Sequence, residues 1–408
     1  MKILIHTKYF PPEPGAGSTR AFEHAKIWKD LGAEVTVLTC LPHYPDGIIP
    51  EKYKGHFFYQ ENINGIKVIR TFTYATPNKG KIRRSLGFFS IMISSILQGY
   101  FKIGKPDVLI ASSPPITVGV SGLLLSVLKN IPLIFEVRDL WPDSIVQLEQ
   151  IKNKFLIKLL EYLELSIYKR SVLIVGVSDA YTNLIVKKGI NKNKIRTFKN
   201  GVDLNLFAPV NYDEVLANNL NLKGKFVVGY FGTFGLAHAL DKVLLAAEKL
   251  KHIEKIHFLF IGDGAEREKL IKIKNEKQLN NVTFLPIVKK TDLKKYYSIA
   301  NVMLVSLKNI SLFRSVLPSK IFEILAMKKP IIITVLGEAE KLVEKAGAGK
   351  FAEPENPDAI AEKILEAFNN PEWINQAGEN GRKFVEEYFN REKIAKDYLK
   401  MLREITQK

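Results

Sequence analysis

The chain opens Lys2-Ile3-Leu4-Ile5-His6-Thr7-Lys8-Tyr9-Phe10-Pro11-Pro12-Glu13-Pro14-Gly15-Ala16-Gly17-Ser18. Lys2–His6 reads as a short apolar strand, and Tyr9 to Gly17 as a Pro- and Gly-rich loop. Ser18 then opens a helical pattern, with Phe22, Ala25, Trp28 and Leu31 at helical spacing and Gly32 at its end. Val35–Cys40 is the next strand. Strand, helix and strand within about forty residues make a βαβ unit.

The alternation continues outward from this unit. Apolar runs at Ile66–Phe72, Val108–Ala111, Leu133–Val137, Val172–Val177 and Ile195–Phe198 predict strands, with helices between them, notably Asn153–Arg170. The pattern loosens between Lys199 and Gly224, which reads as a linker. A second alternation follows, with strands at Phe226–Phe231, Ile256–Ile261, Val282–Leu285, Val302–Val305 and Ile331–Thr334. Helices are expected near Leu240–His252, Ala265–Gln278, Asp292–Ala300 and Ser319–Met327, and the end from Pro357 is helical. The expected fold is α/β, two doubly wound domains in series. Their boundaries are read as 1–200 and 201–375, with terminal helices at 376–408 expected to cross back to the first domain. Ligands of such sheets bind beyond the carboxyl ends of the strands, so two facing domains would offer a cleft.

Composition narrows the function. The 408 residues are 46% hydrophobic, enough for real cores. The lone Cys40 excludes an intrachain disulfide and a cysteine zinc site. Seven histidines are scattered without metal-ligand spacing, so no metal is expected. The net charge of +18 points to an anionic partner. Nucleic acid is not expected, because no recognition motif with stacking aromatics accompanies the charge. No signal peptide or transmembrane helix is expected. Thr76 to Lys105 contains no acidic residue, while Lys79, Lys81, Arg83, Arg84, Lys102 and Lys105 flank an apolar run. That pattern suits either an anionic membrane surface or a core helix with a basic entry loop.

The residues able to carry chemistry follow strands. Gly15 and Gly17 stand where backbone N–H groups can approach an anion, or where a tight turn is capped by Ser18. Asp139, after Leu133–Val137, could orient a substrate hydroxyl or cap a helix start. Gly232 and Thr233 could present backbone donors to a phosphate. Ile261-Gly262-Asp263-Gly264-Ala265-Glu266-Arg267 is either a ligand loop or a plain glycine turn. In Arg314-Ser315-Val316-Leu317-Pro318-Ser319-Lys320-Ile321-Phe322-Glu323, a bound anion would explain a lysine in a first helical turn. Glu323 could then accept bonds from a diol; otherwise Lys320 and Glu323 are a solvated pair.

The ordered set resembles glycosyltransferase family 4, of the GT-B fold. The order runs from Tyr9-Phe10-Pro11-Pro12-Glu13 through Asn200-Gly201-Val202-Asp203 and Ile261-Gly262-Asp263-Gly264 to Lys320-Ile321-Phe322-Glu323-Ile324-Leu325-Ala326-Met327. Asp139-Leu140-Trp141-Pro142 and Leu317-Pro318-Ser319-Lys320 are most similar to the WbuB-type branch, which handles N-acetylfucosamine-like sugars in O-antigen and capsule assembly.

The resemblance implies retaining transfer from a nucleotide sugar, usually a UDP-sugar, without a required metal or cofactor. It places Glu323 on the ribose and Lys320, Gly232 and Thr233 on the diphosphate. Pro286 and Ile287 frame the base, and Arg267, Arg314 and Ser319 complete the donor site. Gly15 and Gly17 face the transferred sugar or its phosphate, and Asp139 stands beside the reacting centre. The implied acceptor is a saccharide, carried on polyprenyl diphosphate at the cytoplasmic membrane face, with 76–105 docking on the anionic surface. Two departures stand out. Ser315 occupies the first Glu position of the family's Glu-x7-Glu, and Thr233 and His238 stand where an Arg…Lys pair is common. The alternative weighed is a nucleotide-sugar epimerase.

Overall fold

A computed structural model describes residues 1–76, 81–147 and 151–406. Lys79, counted in the basic stretch, lies outside them. The chain forms two compact units: Met1–Lys199 with Glu392–Lys408, and Asn200–Arg391.

The first unit is built on eight strands: β1 (Lys2–Thr7), β2 (Glu34–Cys40), β3 (Phe58–Ile63), β4 (Ile66–Thr71), β5 (Val108–Ser113), β6 (Leu133–Val137), β7 (Leu173–Gly176) and β8 (Ile195–Thr197). Their order is β3-β4-β2-β1-β5-β6-β7-β8. All pairs are parallel except β3 with β4. The buried strands are nearly continuous apolar runs, as a sheet covered on both faces requires. β3 is an addition to the expected set. Its polar Gln60, Glu61 and Asn62 hide it from an apolar-run reading, but Asn64-Gly65 closes the hairpin, with both residues at positive φ.

The second unit carries β9 (Phe226–Phe231), β10 (Ile256–Ile261), β11 (Val282–Leu285), β12 (Val302–Ser306), β13 (Ile331–Thr334) and β14 (Gly349–Phe351). They are all parallel, in the order β11-β10-β9-β12-β13-β14. Both units are thus Rossmann-like, as the alternation predicts.

Two boundaries differ from the sequence reading. The first helix spans Ala16–Asp30, not a pattern opening at Ser18; Gly15, at φ 111°, is its N-cap, and Ser18 is buried in the first turn. The second difference is at the C-terminus. The helix Pro371–Tyr388 stays with the second unit, because Gly378 and Gly381 let it close onto the Lys328 carbonyl and Leu325. Arg382 Nη1 also donates to the carbonyls of Phe207 (3.0 Å) and Ala326 (2.9 Å). The return to the first unit comes at Glu392 rather than at 376.

The returning helix, Arg391–Thr406, is part of the first core. Trp28 Nε1 donates to the Ala395 carbonyl at 2.8 Å, and the Tyr398 ring stacks on Phe198 at 4.5 Å. Leu402 is fully buried there. Leu402→Ala should therefore cost on the order of 2–5 kcal/mol. Denaturant unfolding of the full chain would check this; an unchanged midpoint would mean the helix is not integral to that core.

Candidate active site

In the second unit, Lys320 is brought against the loop that follows β9. β9 ends at Phe231, and Gly232 follows at φ 144°. A Cβ at Gly232 would stand 2.8 Å from Lys320 Nζ, so glycine is what lets this ammonium approach the loop. Lys320 Nζ is buried, has no hydrogen-bond partner among the described residues, and lies 3.8 Å from the centroid of the Tyr230 ring. Burial pulls its pKa from the usual lysine value to about 7, against an opposing pull from Glu323. Burying an ammonium over an aromatic face without a hydrogen bond carries a desolvation cost.

Glu323 lies on the same short helix, Lys320–Ala326. Burial raises its pKa, partly offset by Lys290, whose Nζ is 3.4 Å from Oε1. Lys290 was not foreseen; it is a loop lysine with no motif around it, brought to Glu323 only by the fold. His238 also feels Lys320. Burial first, and that charge second, lower its pKa to about 4, so it is neutral at pH 7.

The glycine loops serve one another. Gly232 N–H donates to the Ile261 carbonyl at 2.9 Å, so it is spent and does not face a phosphate as expected. A Cβ on Gly262 would lie 1.9 Å from the Gly232 carbonyl oxygen, and one on Gly264 would lie 2.5 Å from that of Phe234. Gly262 and Gly264 are therefore needed for backbone-to-backbone packing of the loops after β9 and β10. The Thr233 carbonyl accepts from the Tyr230 hydroxyl at 2.9 Å.

The remaining donor candidates are more peripheral. Arg267 Nε lies 3.9 Å from Asp263, four positions earlier in the loop before the helix. The Arg314 side chain is exposed, and its carbonyl packs on Gly337. Ser319 precedes the helix without a side-chain capping bond. Pro286 and Ile287 are exposed immediately beyond β11. Ser315 is buried, and its hydroxyl donates to the Leu312 carbonyl at 2.6 Å, so it does not stand in for a carboxylate.

In the first unit, Gly15 and Gly17 begin the first helix, and a Cβ on Gly17 would meet Arg138 Nη1 at 1.9 Å. Arg138 was missed by sequence reading. Its Nε and Nη2 are buried without hydrogen-bond partners among the described residues. The neighbouring Glu136 is pushed up by burial, but Arg20 and other cations outweigh this and hold it at about 2. Arg20 Nη2 is 2.9 Å from Glu136, and Ser112 Oγ donates to it at 2.8 Å. Asp139 accepts from Ser144 Oγ at 3.0 Å, and burial raises it to about 6. Among the described residues, no three His, Cys, Asp or Glu side chains gather as a metal-ligand set.

Two family models match successive parts of the chain: Glycosyltransferase Family 4 over residues 17–206 and Glycosyl transferases group 1 over 212–384. The chain is a family 4-like GT-B glycosyltransferase. WcaI of Escherichia coli K12, a glycosyl transferase named for colanic acid biosynthesis, is 25% identical over 417 residues, covering 99% of this chain and 100% of WcaI. Two solved structures show the same fold. Sucrose-phosphate synthase from Thermosynechococcus elongatus superposes with a TM-score of 0.78 at 21% identity, over 99% of this glycosyltransferase and 98% of the synthase. HepE of Anabaena, solved with UDP-glucose, gives 0.76 at 16% identity, over 99% and 100%. The epimerase alternative finds no support, since both family models are of glycosyl transferases.

The buried ammonium sets a pH dependence. An unfolded lysine titrates near ~10.4. Lys320 in the folded chain titrates at about 7. Between these values the unfolded chain holds a proton that the folded chain lacks, so ligand-free stability rises with pH across that window. Lys320→Met should remove a contribution of up to about tenfold in the unfolding constant per pH unit. Wild type and variant with parallel stability curves from pH 7 to 10 would show that burial does not depress this group.

Proposed function

We propose that the protein moves a sugar from a UDP-sugar, of the N-acetylamino class, to a saccharide acceptor carried on polyprenyl diphosphate. The reaction retains configuration at the anomeric carbon and needs no metal, and the product enters a surface polysaccharide such as O-antigen, lipopolysaccharide or capsule. The observation that carries this reading is the buried, unpartnered ammonium of Lys320 beside Gly232, with Glu323 on the same helix. The names of WcaI and of the UDP-glucose complex of HepE support it.

The chemistry follows from charge. Breaking the bond between the anomeric carbon and the diphosphate oxygen leaves negative charge on the departing nucleotide. A preorganised cation stabilises that charge more in the transition state than in the donor. Bound diphosphate also returns Lys320 to its charged form at neutral pH, because an adjacent anion favours the ammonium. Glu323, kept beside Lys290, accepts bonds from the ribose hydroxyls. Thr233 lies at the phosphates, and Pro286 and Ile287 border the base. Arg267, Arg314 and Ser319 line the approach. From the first unit, Gly15 and Gly17 meet the sugar or its phosphate, and Asp139, ionised above about pH 6, orients the acceptor hydroxyl. The enzyme works at the inner face of the plasma membrane as a peripheral protein, docked through residues 76–105. No helix among the described residues is long and apolar enough to cross a membrane.

In a thermal shift panel of UDP, GDP and TDP, UDP should stabilise selectively, by about 2.7 kcal/mol at a hundredfold excess over Kd. Glu323→Ala should lose that shift, and Lys320→Ala should lower turnover by ~10²–10³-fold. No shift with any nucleotide at millimolar concentration would defeat the donor reading. For docking, the triple change Arg83→Glu, Lys102→Glu and Lys105→Glu should abolish co-sedimentation with vesicles containing phosphatidylglycerol. Undiminished sedimentation would remove that surface from the proposal.

A further inference from the structure

One ammonium ties together three helices behind Asp139. Lys188 is the C-cap of the helix Asp179–Lys187, and the carbonyl end of a helix favours a cation. Its Nζ lies 2.5 Å from Asp143 Oδ2 and 2.6 Å from Glu164 Oε2. Asp143 is the first residue of the short helix Asp143–Gln147, and Glu164 stands in the helix Lys154–Arg170. The Glu164 side chain is only 2% exposed, and its Oε1 accepts from the Tyr168 hydroxyl at 2.8 Å.

Burial works against the Lys188 charge, but Glu164 and Asp143 outweigh it and raise its pKa. Burial raises Glu164, and Lys188 pulls it back. An exposed lysine–carboxylate pair contributes little. Here a single ammonium serves carboxylates from two elements, one of them buried. Its loss would leave the Glu164 charge unpaired and Asp143 untethered.

What this clamp holds is the segment that carries Asp139. The chain leaves β6 at Val137 and turns through Asp139, Leu140 and Pro142 into the short helix. Ser144 N–H donates to the Leu140 carbonyl at 2.8 Å, and Ile145 N–H to that of Pro142 at 3.1 Å. Ser144 is buried, and its Oγ donates to Asp139 Oδ2 at 3.0 Å. The residue that bonds the Asp139 carboxylate is therefore the next one after the clamped Asp143. A helix of five residues has too few internal bonds to hold its own start. An anchor from two neighbouring helices supplies what it lacks.

The groups that act on Asp139 can be named. Burial raises it; Ser144 Oγ and the Leu140 N–H favour its ionised form, as does Arg138, while Asp143 opposes ionisation. Tyr168, bonded to Glu164, feels both Asp139 and Asp143. The Lys188 charge is spent on Asp143 and Glu164.

We propose that Lys188 is a positioning residue for Asp139: by clamping Asp143 to Glu164 it fixes Ser144 Oγ against the Asp139 carboxylate. The inference rests on the reading of Asp139 as the group that orients the acceptor hydroxyl. A carboxylate must be ionised and held in one orientation to accept that hydroxyl, and the Ser144 bond supports both. Lys188 does this without touching substrate.

Carbon-13 NMR of the full chain, labelled at aspartate Cγ and free of substrate, follows Asp139 through pH, with Asp139→Asn identifying its signal. In Lys188→Met, Asp139 should titrate about one pH unit higher than in wild type, because it loses a donor that favours the ionised form. Ser144→Ala should give the same rise. Lys188→Met with Ser144→Ala should add nothing further, since both changes remove one bond. Lys188→Arg, which keeps the charge, should retain the wild-type titration. An unchanged or lowered Asp139 titration in Lys188→Met would overturn the proposal. So would a double variant in which the two rises add, or a rise in Lys188→Arg equal to that in Lys188→Met. Lys188→Met with Glu164→Gln leaves no buried carboxylate unpaired, and carries the same expectation if Lys188→Met does not fold. Wild-type rates of transfer in Asp139→Asn, beside the expected titrations, would defeat the acceptor role of Asp139 and leave the clamp standing.

Discussion

A lysine amine kept from water without a hydrogen bond among the described residues is the constraint around which the loops of the second unit are arranged. Lys320 rests on the Tyr230 ring, and the cost of that placement explains several neighbours at once. Gly232 has no side chain because one would strike Nζ. Gly262 and Gly264 have none because the loop that carries Gly232 must be backed by another loop at backbone distance. His238 is neutral partly because a second cation beside the first would be costly.

The first unit has a comparable imbalance, distributed differently. Buried Arg20 and Glu136 satisfy each other and tie the first helix to β6. Arg138, also buried, has Nε and Nη2 without a hydrogen-bond partner among the described residues.

The alternation of strand and helix was legible because parallel sheets, buried on both faces, write themselves as uninterrupted apolar runs. Lys320 and Glu323 were legible because a lysine in a first helical turn conflicts with local electrostatics. Other features carried no such local conflict. Arg138 and Gly17 are 121 positions apart in the chain, and only the fold shows that one makes room for the other. Lys290 is one lysine among many. The helix Lys81–Lys102, which exposes Leu86, Phe89 and Ile93, kept a regular period, and period alone does not say which stripe faces the core. β3 was hidden by its edge position, where polar residues cost nothing.

The return of the last helix has a consequence for how the chain is made. The second unit is continuous, from Asn200 to Arg391, whereas the first is completed by residues from Glu392 onward. A ribosome that delivers the N-terminus first thus delivers a sheet whose Trp28 and Phe198 flank waits for its cover. The unit begun first is finished last, after the other has had its whole sequence available to fold. During that interval the exposed side of the first sheet is apolar, and the nascent chain carries an unsealed core while residues 200–391 are made.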